Sequence, residues 1–235
     1  MDRVKTYIKD LDKVLNGGLP KDSLTLVAGT AGTGKTTLAM QYLFSGAVVE
    51  DKPALLFTLN EQEVKIIENF KQFTFFSEGL LRSSKVVIID VRVAFPDSPG
   101  KQPFYPEQLL NFFYEQIDLY KPERIVVDSI TAICKRLDDD VSIRKFLFQL
   151  GNMLLLKKCS ALILSEVEPG IRKYSNFGIE EFLCDGIIYL SHMDKNNRIR
   201  KTLQVVKMRG TFHSEEQFIL NIDEEGVHLL KLMDT

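Results

Sequence analysis

Gly29-Thr30-Ala31-Gly32-Thr33-Gly34-Lys35-Thr36 is the stretch on which the reading of this chain turns. It has the spacing of a phosphate loop, a glycine, four intervening residues and then Gly-Lys-Thr. Glycines let the backbone curl so that successive N–H groups point inward at phosphate oxygens, and a helix starting behind the loop adds the positive end of its dipole. Lys35 supplies a cation for the β and γ phosphates, and Thr36 offers a hydroxyl to Mg²⁺. The competing reading is a plain glycine turn, so the flanks decide. Ser23 to Ala28 is an apolar run suited to a strand buried on both faces, and Leu38, Ala39, Tyr42, Leu43 and Ala47 recur with helical spacing to about Val49. Strand, glycine loop and helix follow in the order a phosphate site needs. Gly29, Thr30, Ala31, Gly32, Thr33, Gly34, Lys35, Thr36 and Thr37 are therefore the expected ATP-binding segment.

Outward from that unit the pattern keeps alternating. Pro53 to Leu59 reads as a strand, Glu61 to about Phe76 as a helix, and Lys85 to Asp90 as a third strand. Val93 to Pro106 carries Pro96, Pro99, Pro103 and Pro106 with Gly100, and is expected to be a surface loop. Glu107 to Tyr120 is a helix, Arg124 to Asp128 a strand, Val141 to Lys157 a helix, and Ser160 to Ser165 a strand. Such alternation implies a parallel sheet. Beyond Gly186 come short alternating runs (Ile187 to Leu190, Thr202 to Lys207, Gln217 to Ile222, Val227 to Leu232), which read as antiparallel strands. The expected fold is α/β, with a mostly parallel central sheet flanked by helices and antiparallel strands toward the C-terminus, as one domain over residues 1–235.

Composition agrees with that class. The 235 residues, 45% hydrophobic and 26% charged, are enough for one large packed domain. A formal charge of −2 gives no overall footprint for nucleic acid or an anionic membrane, so any such site is local. Cys134, Cys159 and Cys184 lie far apart without CxxC pairing and read as buried, reduced thiols. His192, His213 and His228 show no ligand spacing. The opening MDRVKTYIKDLD has no apolar core for a signal peptide, and no run is long enough to span a bilayer, so a cytoplasmic protein is expected.

A magnesium–nucleotide site also needs a carboxylate at the end of a neighbouring strand, and Ile125-Val126-Val127-Asp128 supplies one. Hydrolysis needs a further group beside the γ-phosphate, for which Glu61 is the candidate; a Glu in the first turn of a helix is equally explained by the helix dipole. Lys207 and Arg209 fall on one side of a strand before Gly210, which by itself reads rather as a solvated hairpin edge. Asp138-Asp139-Asp140 is explained by the dipole of the helix that follows. The loop Pro169 to Phe177 combines Arg172 and Lys173 with Tyr174 and Phe177, a set able to stack bases and hold phosphates, although two cations are few.

Taken together, LDKVLNGGLP (11–20), GTAGTGKTT (29–37), VVDSIT (126–131), FGIEEFLCDGIIYL (177–190) and VKMRGTFHS (206–214) resemble the KaiC-like branch of the RecA superfamily over nearly the whole chain. The resemblance implies a RecA-type core in a ring, usually a hexamer, with ATP between neighbours. It implies that Lys207 and Arg209 reach the γ-phosphate held by the adjacent subunit, that Thr211 and His213 contact the same nucleotide, and that the loop ending at Phe177 with Glu180-Glu181 faces the central pore. Two positions depart from the pattern. Asp22 stands where a turn glycine is usual, and Asn60-Glu61 stands where two glutamates are usual. Asn60 falls at the catalytic position, and an amide can orient water but cannot take its proton. The expected function is a regulatory or signalling ATPase with Mg²⁺-dependent ATP binding, slow hydrolysis and a homo-oligomeric ring. The alternative is a recombinase-like protein that binds DNA with ATP through the loop 169–177.

Overall fold

The computed structural model describes residues 2–96, 105–137, 139–170, 173–195 and 198–232. In chain order the elements are β1 (Arg3–Val4), α1 (Lys9–Val14), β2 (Leu19–Pro20), β3 (Leu24–Gly29), α2 (Lys35–Glu50), β4 (Ala54–Thr58), α3 (Glu63–Phe70), α4 (Glu78–Arg82), β5 (Val86–Asp90), α5 (Val91–Ala94), α6 (Pro106–Tyr120), β6 (Arg124–Asp128), α7 (Ile130–Cys134), α8 (Asp140–Leu156), β7 (Ser160–Glu166), α9 (Glu180–Leu183), β8 (Gly186–Lys195), β9 (Arg198–Met208), β10 (Gln217–Asp223) and β11 (Gly226–Lys231).

Nine strands form one sheet in the order β11-β10-β9-β8-β3-β7-β6-β4-β5. From β8 to β5 every neighbouring pair is parallel, while β8, β9, β10 and β11 join one another antiparallel. The parallel strands are apolar at consecutive positions because both faces are covered. Along β6, Val126 packs with α1, α2 and α3 on one side, whereas Ile125 and Val127 pack with α6, α7 and α8 on the other. The fold is the expected α/β arrangement with its antiparallel C-terminal extension.

The local differences have local causes. The helix read over 61–76 stops at Phe70. Beyond it Phe73 and Phe75 stack at 5.1 Å, Phe76 packs on Phe44, and the Thr74 N–H donates to the Glu224 carbonyl, so the segment turns to meet the C-terminal hairpin. The start of the expected loop is a short helix, α5, capped by the Asp90 side chain, which accepts from the Arg92 N–H; most of the proline-bearing stretch, residues 97–104, lies outside the described residues, as does Asp138. Asp139 caps α8 by accepting from the Ser142 N–H, in line with the helix-end reading of that acidic run. The three cysteines are buried and unbridged, and burial pushes the Cys159 thiol up to about 12.

One side chain on β6 ties the N-terminal segment down. Arg124 on β6, 1% exposed, donates to Glu50 at 3.0 Å, to the Lys5 carbonyl at 2.8 Å and to the Tyr42 carbonyl at 3.3 Å, with its guanidinium over the Tyr42 ring. Asp22 sits at φ 54°, in the left-handed region where glycine is favoured and Asp is tolerated. That backbone angle is one that glycine would also adopt, without a Cβ penalty.

Candidate functional site

Lys35 is the first residue of α2, and Gly34 caps the helix at φ 99°, a conformation glycine adopts without a Cβ penalty. Gly29 is required for another reason: a Cβ there would lie 2.4 Å from the Leu190 carbonyl oxygen on β8. The Thr33 hydroxyl donates to the Thr30 carbonyl at 2.8 Å and closes the loop. Lys35 bends back over it, its Nζ donating to the carbonyl oxygens of Gly29 and Thr30 at 2.9 Å each. Burial pulls the Lys35 pKa down, opposed by the negative charges of Glu166 and Asp128.

The parallel sheet brings Asp128 to the same edge. Thr36 Oγ1 donates to Asp128 Oδ2 at 2.8 Å across 92 residues of sequence, and Asn60 Nδ2 donates to Asp128 Oδ1 and to the Ser129 hydroxyl, at 3.2 Å each. Burial pushes the Asp128 carboxyl up, and the hydrogen bond from Thr36 and the charge of Lys35 act against it.

Glu61 does not occupy the first turn of a helix. Gln62 is the N-cap and α3 starts at Glu63, so the dipole explanation applies to Glu63 and not to Glu61. Glu61 belongs to a tight turn after β4, in which the Thr58 hydroxyl donates to its carbonyl at 2.9 Å. Its carboxylate accepts from Asn69 Nδ2 on α3 at 2.8 Å. The adjacent polar groups of Asn60 and Glu61 thus point to different partners.

Lys35, Thr36, Thr37, Asn60, Glu61 and Asp128 line one cleft of about 350 Å³ with Ala31, Gly32 and Gly34. Glu166 at the end of β7 and Lys201 on β9 line it too, and the sequence reading missed both. Glu166 stands one residue past the strand as read and closes β7 as Asp128 closes β6, and that was the available signal. Lys201 pairs across the hairpin with His192, whose Nδ1 is 3.5 Å from the Thr30 hydroxyl; nothing in the local pattern marks it.

Lys207, Arg209, Thr211 and His213 lie elsewhere. The Arg209 N–H donates to the Asp185 carbonyl, and the Asp185 N–H donates to the Leu24 carbonyl, which places Arg209 level with the start of β3 while the phosphate loop leaves its end. At about 3.3 Å per residue the two are roughly 16 Å apart along the strand. Lys207 Nζ donates to the carbonyls of Glu181 and Cys184 at 2.9 and 2.7 Å, and Arg209 pairs with the Asp185 carboxylate at 3.3 Å. Burial lowers the Lys207 pKa, helped by the charge of Arg209. Arg209 follows the last residue of β9, so strand alternation does not set its direction; both cations nevertheless bond to the segment 181–185. Thr211 Oγ1 accepts from Arg3 at 2.9 Å, and His213 Nδ1 lies 3.1 Å from the Ser214 carbonyl.

The loop after β7 turns its aromatic residues inward: Tyr174 meets Tyr189 edge to face at 5.4 Å, and Phe177 is partly buried against the core. Arg172 lies outside the described residues.

A family model for the ATPase KaiC matches residues 4–234. The chain belongs to the KaiC ATPase family. Among its relatives, the circadian clock oscillator protein KaiC of Nostoc sp. is 31% identical over 235 residues, covering 99% of this chain and 45% of that protein. The circadian clock oscillator protein KaiC of Synechococcus elongatus is 31% identical over 236 residues, covering 98% and 44%. The chain spans about half the length of the curated relatives it matches. A KaiC-like protein from the hyperthermophilic archaeon Pyrococcus horikoshii OT3, known from a crystal structure, superimposes with a TM-score of 0.86 at 30% identity, over 97% of this chain and 99% of that one. No helix among the described residues is long and apolar enough to cross a membrane.

Proposed function

We propose that this KaiC-family chain is one ATPase unit over residues 1–235 that binds Mg²⁺–ATP in the cleft at the end of β3 and hydrolyses it slowly, as a regulatory or signalling ATPase. The observation that carries the reading is the junction of Lys35, folded over its own glycine loop, with the Thr36–Asp128 pair at 2.8 Å. Lys35 moves from the carbonyls of Gly29 and Thr30 to the β and γ phosphates, and the N–H groups of residues 31–36 hold the rest. Among the described residues no group of three or more His, Cys, Asp or Glu side chains is arranged to hold a metal. A hydroxyl and one carboxylate suit a cation that keeps waters and phosphate oxygens as its other ligands, which is the habit of Mg²⁺. When bound, Mg²⁺ supplies positive charge to the β and γ phosphate oxygens, and Thr36 and Asp128 are the residues that hold it. Asn60, donating to Asp128, orients water without taking its proton, which keeps hydrolysis slow.

In this reading the site is completed by a second copy of the chain, in a ring, a hexamer. Lys207 and Arg209 approach the γ-phosphate of the neighbour, with Thr211 and His213 on the same nucleotide. The distance of Arg209 from its own phosphate loop supports action in trans, since a residue level with the start of β3 cannot reach a phosphate at its end. Nucleotide titration of Lys35→Ala tests the first part: loss of ATP binding by a folded variant is expected, and wild-type affinity would refute the phosphate-loop assignment. Sedimentation of the wild type with and without ATP tests the second, with assembly expected only with ATP.

A further inference from the structure

We propose that Glu166 is the general base for the water that attacks ATP in this cleft, an inference that rests on the ATPase reading above. Three described carboxylates line the cleft: Glu61, Asp128 and Glu166. Two are committed. Asp128 accepts from Thr36 and Asn60 through its two oxygens, and Glu61 accepts from Asn69 on α3. The Glu166 side chain is exposed to the cleft, and its carboxylate accepts no hydrogen bond from the described residues.

The backbone beneath it is fixed. Glu166 pairs in register with Gly29, the first glycine of the loop, and the next N–H, that of Val167, donates to the Gly29 carbonyl at 3.2 Å. The Glu166 N–H donates to the Thr131 hydroxyl at 2.9 Å. Thr131 lies 3.3 Å from the buried Ser165 hydroxyl, which donates to the buried carboxylate of Glu180. A polar network behind the strand end therefore holds the Cα, while the carboxylate in front is unclaimed.

Sheet order gives the direction. β7 lies between β3 and β6, so Glu166 stands between the strand that carries the phosphate loop and the strand that carries Asp128. Its charge acts on both Lys35 and Asp128. A γ-phosphate held between those two residues would meet Glu166 on its third side. The carboxylate takes one proton from a water as the water oxygen bonds to the γ-phosphorus. The bond from that phosphorus to the β,γ-bridging oxygen breaks, ADP leaves with the bonding pair on its β-phosphate, and the proton on Glu166 passes to the phosphate product. Glu166 thus accounts for the slow turnover that remains with an amide at position 60.

Glu166→Gln keeps size and shape and removes the proton acceptor. It should lower kcat for phosphate release on the order of a hundredfold, the usual scale of a general base, while ATP affinity from titration and the thermal midpoint stay at wild type. Glu166→Asp should retain part of the rate. Wild-type kcat in Glu166→Gln overturns the proposal, as does a loss confined to ATP affinity. Loss of turnover in Glu61→Gln with Glu166→Gln unaffected overturns it in favour of Glu61. Each of those results leaves the ATPase reading standing, whereas a wild type that binds no ATP removes both.

Discussion

Gly46→Ala on α2 and Gly151→Ala on α8 make the same chemical change in the interior of a helix and should have opposite effects. Each replaces glycine by the best helix former, a gain of about 1 kcal/mol. At Gly151 the new methyl meets Leu24 Cδ2 at 3.6 Å, an ordinary contact, and the gain is kept. At Gly46 it falls 2.2 Å from Nε, 2.4 Å from Cζ and 2.6 Å from Cδ of Arg124. Arg124 has nowhere to go: its guanidinium is held by Glu50, by two carbonyls and between the rings of Tyr7 and Tyr42. Overpacking costs about 1–3 kcal/mol and loss of one hydrogen bond to a charged group about 1.5–3 kcal/mol. Net of the helical gain, Gly46→Ala should destabilise by about 1.5–5 kcal/mol. At this chain length a loss of about 3 kcal/mol lowers Tm by about 6–12 °C, while Gly151→Ala raises it by about 2–4 °C. Urea titrations followed by circular dichroism, run beside thermal melts, measure both. If Gly46→Ala matched Gly151→Ala, the claim that the Arg124 network fixes α2 against β6 would be wrong.

Other outcomes follow from the site. Asn60→Glu should raise turnover, with a ceiling of about a hundredfold; an unchanged rate in steady-state phosphate release would show that the amide is not what limits hydrolysis. Asp128→Asn should weaken the Mg²⁺ dependence of ATP binding in titrations with and without the metal, and an unaltered dependence would remove Asp128 from the metal shell. Mixing Lys35→Ala with Arg209→Ala subunits should restore part of the activity each lacks, because some interfaces then pair an intact loop with an intact Arg209. Mixed oligomers that form and stay inactive would end the trans assignment.

The phosphate loop was legible because everything it needs is contiguous: a buried strand, glycines at fixed spacing, and Lys35-Thr36 opening a helix. Asp128 was legible for a similar reason, as an acid closing an apolar strand. Glu166 closes a strand in the same way, but the role proposed for it depends on β7 lying between β3 and β6, a nonlocal order that no local pattern encodes. The helical reading of Glu61 failed because Thr58, Asn60 and Glu61 form a turn held by the Thr58 hydroxyl, which delays the helix to Glu63. The two-residue ladder of β1 with β2 and the short α1 and α7 offer too few residues for any period to show. α7 still had a marker in Ser129, whose side chain caps it by accepting from the Ala132 N–H.

The separation of the phosphate loop and Arg209 along β3 also limits the symmetry any shared site can have. If one copy's Arg209 end serves another copy's Gly29 end, the contact joins two unlike points, and symmetry decides whether it is returned. A two-fold axis returns the contact only where both ends lie on one face; where they lie on different faces the contact is heterologous, and an open pair keeps one unserved loop and one idle Arg209. Repeating the step by pure rotation closes a ring with every site complete, and adding a rise per step gives an open helix with two incomplete ends. The number of sites per particle is then set by the angle between the two faces of a single subunit, and not by the residues that touch the phosphate.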